Sequence, residues 1–356
     1  MIQKHLVTFV RSVSFMYIHY HNCIFPQQTV LPGGLDTLLP ASGNQLKAIE
    51  PSYDGVPPGL LRRMGKAVRM GTGTALPLLK DLRPDGIIIG TANGGMEDCI
   101  RFLNQIIDYD EGMLTPGNFV QSTPNAIAGQ LGLMTRNQCY NITHVHRGLS
   151  FEQALLDAAM LSMEHPHRSY LVGAVDEIAD YNYNIDLLGG WYKKHPQQNQ
   201  DLYEANSTGS IAGEGAVMLV VNGRPEGAVA RVRAIRSWHG TDTEEARTNI
   251  EAFLQQYTDG NIPLLITGEN GDNRLLPYYE TCEKLLPESS VGRFKHMSGE
   301  YPTAVSIALW LTCRLFEGEV LPHHFYKKRI ANTVGPVLIY NTYKGEQHSL
   351  ILLSKK

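Results

Sequence analysis

The sequence predicts an α/β protein built as two similar halves stacked in layers, and three observations carry that expectation. Strand-like and helix-like segments alternate along the chain, the order of the first half restarts after residue 224, and each half closes on an apolar strand, GAVMLVV (215–221) in one and HSLILLS (348–354) in the other. Helices that alternate with strands cover the faces of a sheet, and two such units bury their remaining apolar faces by packing as one body. With 356 residues, 43% apolar and 19% charged, plus 34 Gly and 19 Pro, the chain can enclose a sizeable core and is neither a disordered nor a fibrous sequence.

Residues 1–15 (MIQKHLVTFVRSVSF) stand before a second methionine, Met16, and are expected to be a disordered or non-native extension. Lys4 and Arg11 interrupt their apolar run and no small-residue cleavage site follows, so they make a poor secretory signal. The first half is expected over residues 16–224. Its first strand is 17–25, aromatic and β-branched, and the Pro/Gly-rich stretch to residue 59 reads as irregular. Residues 60–82 read mainly as helix, opened by Pro57-Pro58 and stopped by Pro84, with Leu61, Met64 and Val68 on one face. A buried strand at 85–90 enters a glycine turn, helices are expected at 96–107 and 125–133, and strand 138–145 leads into the Ala-rich helix 149–163. Strand 169–175, the Gly/Ser/Thr-rich loop 206–214 and strand 215–221 complete this half. The turn Asn222-Gly223-Arg224-Pro225 separates it from the second half, 225–356. There strands are expected at 228–238, 262–267, 337–341 and 349–353, and helices at 244–257 and 301–315.

Subtracting 35 acidic from 31 basic side chains leaves a formal charge of −4, and Lys and Arg form no long run, which argues against a nucleic-acid partner. The five cysteines lie far apart with no C-x-x-C pair, the pattern of a reduced, cytoplasmic chain. No stretch approaches the roughly 18 uncharged apolar residues that a membrane span requires.

Six segments together, PPGLLRRMGKAVRM (57–70), GTANGGMEDCIRFL (90–103), NFVQSTPNAIAGQLGL (118–133), GSIAGEGAVMLVV (209–221), KHMSGEYPTAV (295–305) and EGEVLP (317–322), resemble the β-ketoacyl-ACP synthase family of the thiolase fold. The likeness is to the short branch associated with aryl-polyene, flexirubin-like and related polyketide pathways, and it covers nearly the whole chain from Met16. It implies two pseudo-repeated lobes in an αβαβα arrangement.

The family's chemistry requires a cysteine at a strand-to-helix turn, where the helix N-terminus favours the thiolate that takes the acyl chain. It also requires two histidines that donate hydrogen bonds to the enolate oxygen formed as malonyl-ACP loses CO₂. The nucleophile segment aligns with Thr143-His144-Val145-His146-Arg147-Gly148, which puts Val145 in the cysteine's place. An isopropyl group forms no thioester. Cys139, six residues earlier, reads as a small buried hydrophobe. The first histidine's loop corresponds to Ile266–Gly271 and its position to Asn270, whereas His239-Gly240-Thr241 follows the wrong strand and His239 reads as a loop residue. In Lys295-His296-Met297-Ser298-Gly299-Glu300 the family's lysine and glycine are retained but Glu300 replaces the second histidine. An ionised carboxylate only accepts hydrogen bonds and repels an enolate, so Glu300 is expected to pair with Lys295 or another base. Asn341-Thr342-Tyr343-Lys344-Gly345 stands where the family has a Gly-rich gating loop.

Other groupings have plainer readings. Gly90–Gly95 fits neither dinucleotide nor P-loop spacing and reads as a structural turn. His19/His21 and His144/His146 each point two imidazoles to one side of a strand without a third ligand, so neither a metal site nor a cofactor is expected. Arg62, Lys66 and Arg69, with Arg63 beside them, fall on one helix face, either simply solvated or turned to an acidic acyl carrier protein. By resemblance, Phe119, Val120, Thr123 and Ile127, with His144 and His146, are candidates for an acyl tunnel and dimer interface, core packing being an equal account of the first four. The resemblance also implies a twofold pairing of strand 138–143 with its counterpart.

The resemblance therefore implies a chain without activity of its own, similar to a chain length factor, that partners an active ketosynthase in polyene, polyketide or fatty-acid-type elongation. Its complex would have β-ketoacyl-ACP synthase activity. Two alternatives stay open: an acyltransferase, ketosynthase or hydrolase using His144, His146, Glu300 or Cys139, and a homodimeric scaffold that binds an acyl carrier protein.

Overall fold

The computed structural model describes residues 16–29, 33–330 and 335–356, so the extension expected at 1–15 lies outside the described residues. The first half supplies strands β1 (Met16–Ile24), β2 (Gly86–Gly90), β3 (Tyr140–His144), β4 (Tyr170–Asp176) and β5 (Gly215–Asn222). The second supplies β6 (Ala230–His239), β7 (Leu264–Thr267), β8 (Ser290–Arg293), β9 (Tyr326–Lys328), β10 (Val337–Tyr343) and β11 (Gln347–Lys355). Hydrogen bonds link them in the order β9-β8-β7-β10-β11-β6-β1-β5-β4-β2-β3.

That order contains one plan twice. In each half the first strand runs antiparallel to the last, the last antiparallel to a middle strand, and the middle strand parallel to two more: β1, β5, β4, β2, β3 in one and β6, β11, β10, β7, β8 in the other. A three-residue ladder, Met16 to Val232 through Ile18 to Ala230, joins the halves.

The helices are α1 (Pro58–Leu61), α2 (Lys66–Ala75), α3 (Met96–Asp108), α4 (Pro116–Gln121), α5 (Ala126–Thr135) and α6 (Ser150–Glu164), followed by α7 (Asp180–Leu188), α8 (Thr243–Tyr257), α9 (Leu276–Leu285), α10 (Lys295–Ser298) and α11 (Val305–Glu317). The single helix expected over 60–82 is instead α1, α2 and a 3₁₀ turn at Leu76–Leu79, because Gly65 takes an extended conformation (φ −61°, ψ 164°) between the first two. Consequently Arg62 and Lys66 do not share a helix.

Strand alternation builds the layers. Ile88, Leu219 and Ile266 point into a central core that also contains Phe151, Leu155 and Ala158 of α6 and Ile307, Ala308 and Leu311 of α11. Ile87, Ile89 and Met218 point the other way, against Val68 and Met70 of α2 and Ile127 and Leu131 of α5. Leu265, Leu338 and Leu352 likewise face Ile250 and Phe253 of α8 and Cys282 of α9. The result is helix, sheet, paired central helices, sheet, helix. Burial on both faces explains the unbroken apolar run GIIIG, and an all-round apolar α11 belongs at the centre.

Candidate functional site

Loops leaving the carboxyl ends of the strands meet around one cavity of about 510 Å³, the position at which layered α/β proteins hold ligands. Its walls are Ala92 and Asn93 after β2, Val145 and His146 after β3, Asn182 and Asp186 of α7, His239 at the end of β6, and Tyr343 at the end of β10 with Lys344 after it. Beneath it the buried Asp176 ends β4 and receives five hydrogen bonds: from Thr91 Oγ1, from the Ala92 and Asn93 amides, and from the Thr303 amide and hydroxyl. The glycine turn at Gly90–Gly95 thus directs its N–H groups at a residue of its own chain.

Val145 is the first residue past β3, 53% exposed. The turn into α6 is closed by the His146 amide donating to Ser150 Oγ and by the Gly148 amide donating to Gln347 Oε1 (2.7 and 2.8 Å), with Arg147 at φ +52°. Only glycine fits at 148, since a Cβ there would come within 2.2 Å of the Tyr343 Cβ. The valine presents no atom that can accept an acyl group. Among the described cysteines none lines the cavity. Cys139 is exposed rather than buried, and the run of β3 sets it about 20 Å from Val145.

Deeper, Lys295 and Asn270 converge on Glu300. Lys295 Nζ and Asn270 Nδ2 each donate to Glu300 Oε2 at 2.6 Å, and all three residues are buried. Asn270 is held in place from two other directions: its Oδ1 accepts from the Asp272 amide and its carbonyl from Ser210 Oγ. Gly299 (φ +72°) makes the turn possible, because Gly213 packs where its side chain would be. There the Glu300 amide donates to the Ile211 carbonyl and the Gly213 amide to the Glu300 carbonyl, so the GEGA and KHMSG segments interlock. Glu152 of α6 is fully buried nearby, and burial pushes its carboxyl up to about 7 while the Lys295 charge pulls it back. Lys295 and Asn270 thus each direct a donor at a carboxylate of the chain itself.

The remaining sequence candidates separate. His144 bonds to Asp157 (2.9 Å), which also accepts from Tyr140, while His146 stacks edge-on against His239 with ring centres 5.3 Å apart. Glu300 is clamped and Cys139 lies just before the edge strand, so the four groups of a rearranged active site do not gather. Phe119, Val120 and Thr123 are exposed, whereas Ile127 is core, packed over Gly71. Arg62 and Arg63 are exposed, but Lys66 pairs with the buried Glu214 and Arg69 with Glu50 (2.9 Å), so the expected basic face shrinks to two residues. His19 bonds to Asn222 and His21 to Glu317. His239 is not a loop residue but the last of β6, paired with Gln347 and facing the cavity beside Val145. Asn182 and Asp186 were missed because α7 buries none of its residues and so carries no apolar stripe; Asp186 pairs there with Lys344 and Asn182 with Asn93.

Residues 40–187 match the family model of the beta-ketoacyl synthase N-terminal domain. This part of the chain is similar to that domain. Solved structures extend the synthase fold over the rest. A β-ketoacyl synthase from Burkholderia phymatum superposes with a TM-score of 0.74 at 12% identity, covering 96% of this chain and 100% of that one. The ketosynthase ApeO in complex with its chain length factor ApeC, from Xenorhabdus doucetiae, matches with a TM-score of 0.74 at 12% identity over 96% and 98%. The ishigamide ketosynthase/chain length factor gives 0.71 at 14% identity over 96% and 99%. At these identities the likeness is one of fold, and the chain has the thiolase-like architecture. No curated protein sequence matches it. Among the described residues no helix is long and apolar enough to cross a membrane.

Proposed function

We propose that this synthase homologue is a non-condensing, chain-length-factor-like subunit that pairs with an active ketosynthase and shapes the space into which a polyene, polyketide or fatty-acid-type chain grows. The observation that carries the reading is the clamp of Lys295 and Asn270 on Glu300 together with a valine at the strand-to-helix turn. A carboxylate occupies the donors an enolate would need, and no thiol stands at the cavity. Pairing is supported by β3, which among the described residues has a neighbour on one side only, and by exposed Ile107, Phe119, Val120 and Leu133 on α3, α4 and α5. An open strand edge flanked by apolar side chains is a surface built to be covered. Arg62 and Arg63 are left to meet an acidic carrier protein.

The test is reconstitution with an active ketosynthase, its acyl carrier protein and malonyl-carrier. The expected result is a heterodimer whose products differ in length or amount from those of the ketosynthase alone. Identical products with and without this chain, or a covalent acyl adduct on the purified chain by mass spectrometry, would overturn the reading. Native mass spectrometry that finds only a self-pair in the mixture would favour the homodimeric scaffold.

A further inference from the structure

We propose that the paired imidazoles of His296 and His324 form an acid-sensitive fastener between the segment around Leu35 and α10, the turn that carries Lys295. The proposal is independent of the proposed function.

The rings are joined in one directed chain. His296 Nε2 and His324 Nδ1 are 2.8 Å apart, His324 Nε2 lies 2.8 Å from the Leu35 carbonyl, and Tyr203 Oη lies 3.1 Å from His296 Nδ1. A carbonyl only accepts, so His324 Nε2 carries its ring's proton and His324 Nδ1 accepts. His296 Nε2 is then the donor and His296 Nδ1 accepts from the Tyr203 hydroxyl, whose oxygen in turn accepts from the His296 amide (3.2 Å). All four ring nitrogens are engaged with both rings neutral. A further proton on His324 would set two N–H groups face to face, and one on His296 would face the hydroxyl hydrogen of Tyr203.

The surroundings oppose a positive charge. His296 is buried, and the Arg293 guanidinium lies 3.7 Å over the Tyr203 ring beside it, itself paired with Glu269. Lys327 takes the other oxygen of Glu269, and Lys295 turns away to Glu300. Around His324 stand Asp36 and His323. Burial, helped by the partner ring, holds His296 down to about 3, and burial lowers His324 as well. The sign follows: a lowered histidine adds stability that is complete above about 6.5, the unfolded value, and is lost as pH falls below it. Other links on this turn, Asn199 to the His296 carbonyl and Gln27 to the Met297 carbonyl, do not titrate, so the acid response is a local opening of the fastener.

Amide hydrogen exchange at Asp36, Leu39, Met297 and Gly299, each bonded in the closed state, reads the opening constant once intrinsic rates are divided out. Nitrogen-15 spectra of labelled histidine on the same full-length protein report the ring states. The expected opening constant is flat above pH 6.5 and rises between tenfold and a hundredfold per pH unit below it, one decade for each proton taken up. His324→Gln, whose amide can both accept from His296 and donate to Leu35, is expected to halve that slope on a logarithmic scale, while the exposed His167→Gln leaves it unchanged. An opening constant that changes less than twofold between pH 7.5 and 5.5 would overturn the proposal. So would an imidazole of this pair that titrates near 6.5 in the closed state; the spectra of the unsubstituted protein decide this even where the variant fails to fold.

Discussion

Replacing Lys295 by methionine tests whether the clamp is a compensated charge pair or an incidental contact. The substitution leaves the Glu300 carboxylate, 8% exposed, with one donor, Asn270. Removing one partner of a buried pair destabilises by about 3–5 kcal/mol, because the survivor keeps its desolvation penalty without its counter-charge. Glu300→Gln strands the fully buried Lys295 ammonium and is expected to act in the same range. The double variant carries no charge here and is expected to lose no more than about 2 kcal/mol, since apolar or neutral replacements of buried pairs are often near neutral. A cycle of urea unfolding curves, read by tryptophan fluorescence, should therefore give a coupling energy of about 3 kcal/mol or more. If Lys295→Met costs under about 1 kcal/mol, or the double variant loses as much as the two singles added, Glu300 is not held by Lys295 and the reading of this site as an occupied donor set fails.

Glu152→Gln should have an effect that depends on pH: the carboxyl is raised from 4.5 to about 7 in the fold, so ionisation works against the native state and stability falls as pH rises between those values. At 1.36 kcal/mol per unit the variant gains up to about 3 kcal/mol at pH 8 and nothing at pH 4, and equal unfolding midpoints at both would refute it. Leu133→Asp with Val120→Asp is expected to weaken co-purification with an active ketosynthase at least tenfold while leaving the melting temperature within a degree or two; unchanged capture would move the interface elsewhere. Arg62→Glu with Arg63→Glu should reduce carrier-protein affinity severalfold by surface titration without loss of stability. Lys66→Met, which leaves Glu214 buried without its counter-charge, should instead destabilise by about 2–4 kcal/mol, and reversed outcomes would refute the division of the basic cluster.

What the sequence disclosed followed burial. GAVMLVV, GIIIG and the Ala-rich helix were legible because both faces of these strands and much of α6 are sealed in cores, leaving continuous apolar signatures. By contrast α7 is held by polar contacts from Asn93, Lys344 and the Gly43 carbonyl, and β8 is four residues with a central glycine, so neither has a period to detect. The break at Gly65 was hidden inside a run of good helix formers. At the site, residue order located Val145, Asn270, Lys295 and Glu300, but that Asn270 reaches Glu300 across 30 residues is a fact of packing. His239 was set aside for its place in the order of loops, yet antiparallel pairing of β6 with β11 brings it to the cavity from more than a hundred residues away from Gln347.

The five donors gathered by Asp176 come from both halves of the chain, Thr91 to Asn93 on one side and Thr303 on the other. A single side chain is thus the keystone of the cavity floor, and the two halves cannot part there without breaking this arch of hydrogen bonds. Any change in the cavity's size must then come from the rim, where α7 and Lys344 stand, and not from separation of the two halves.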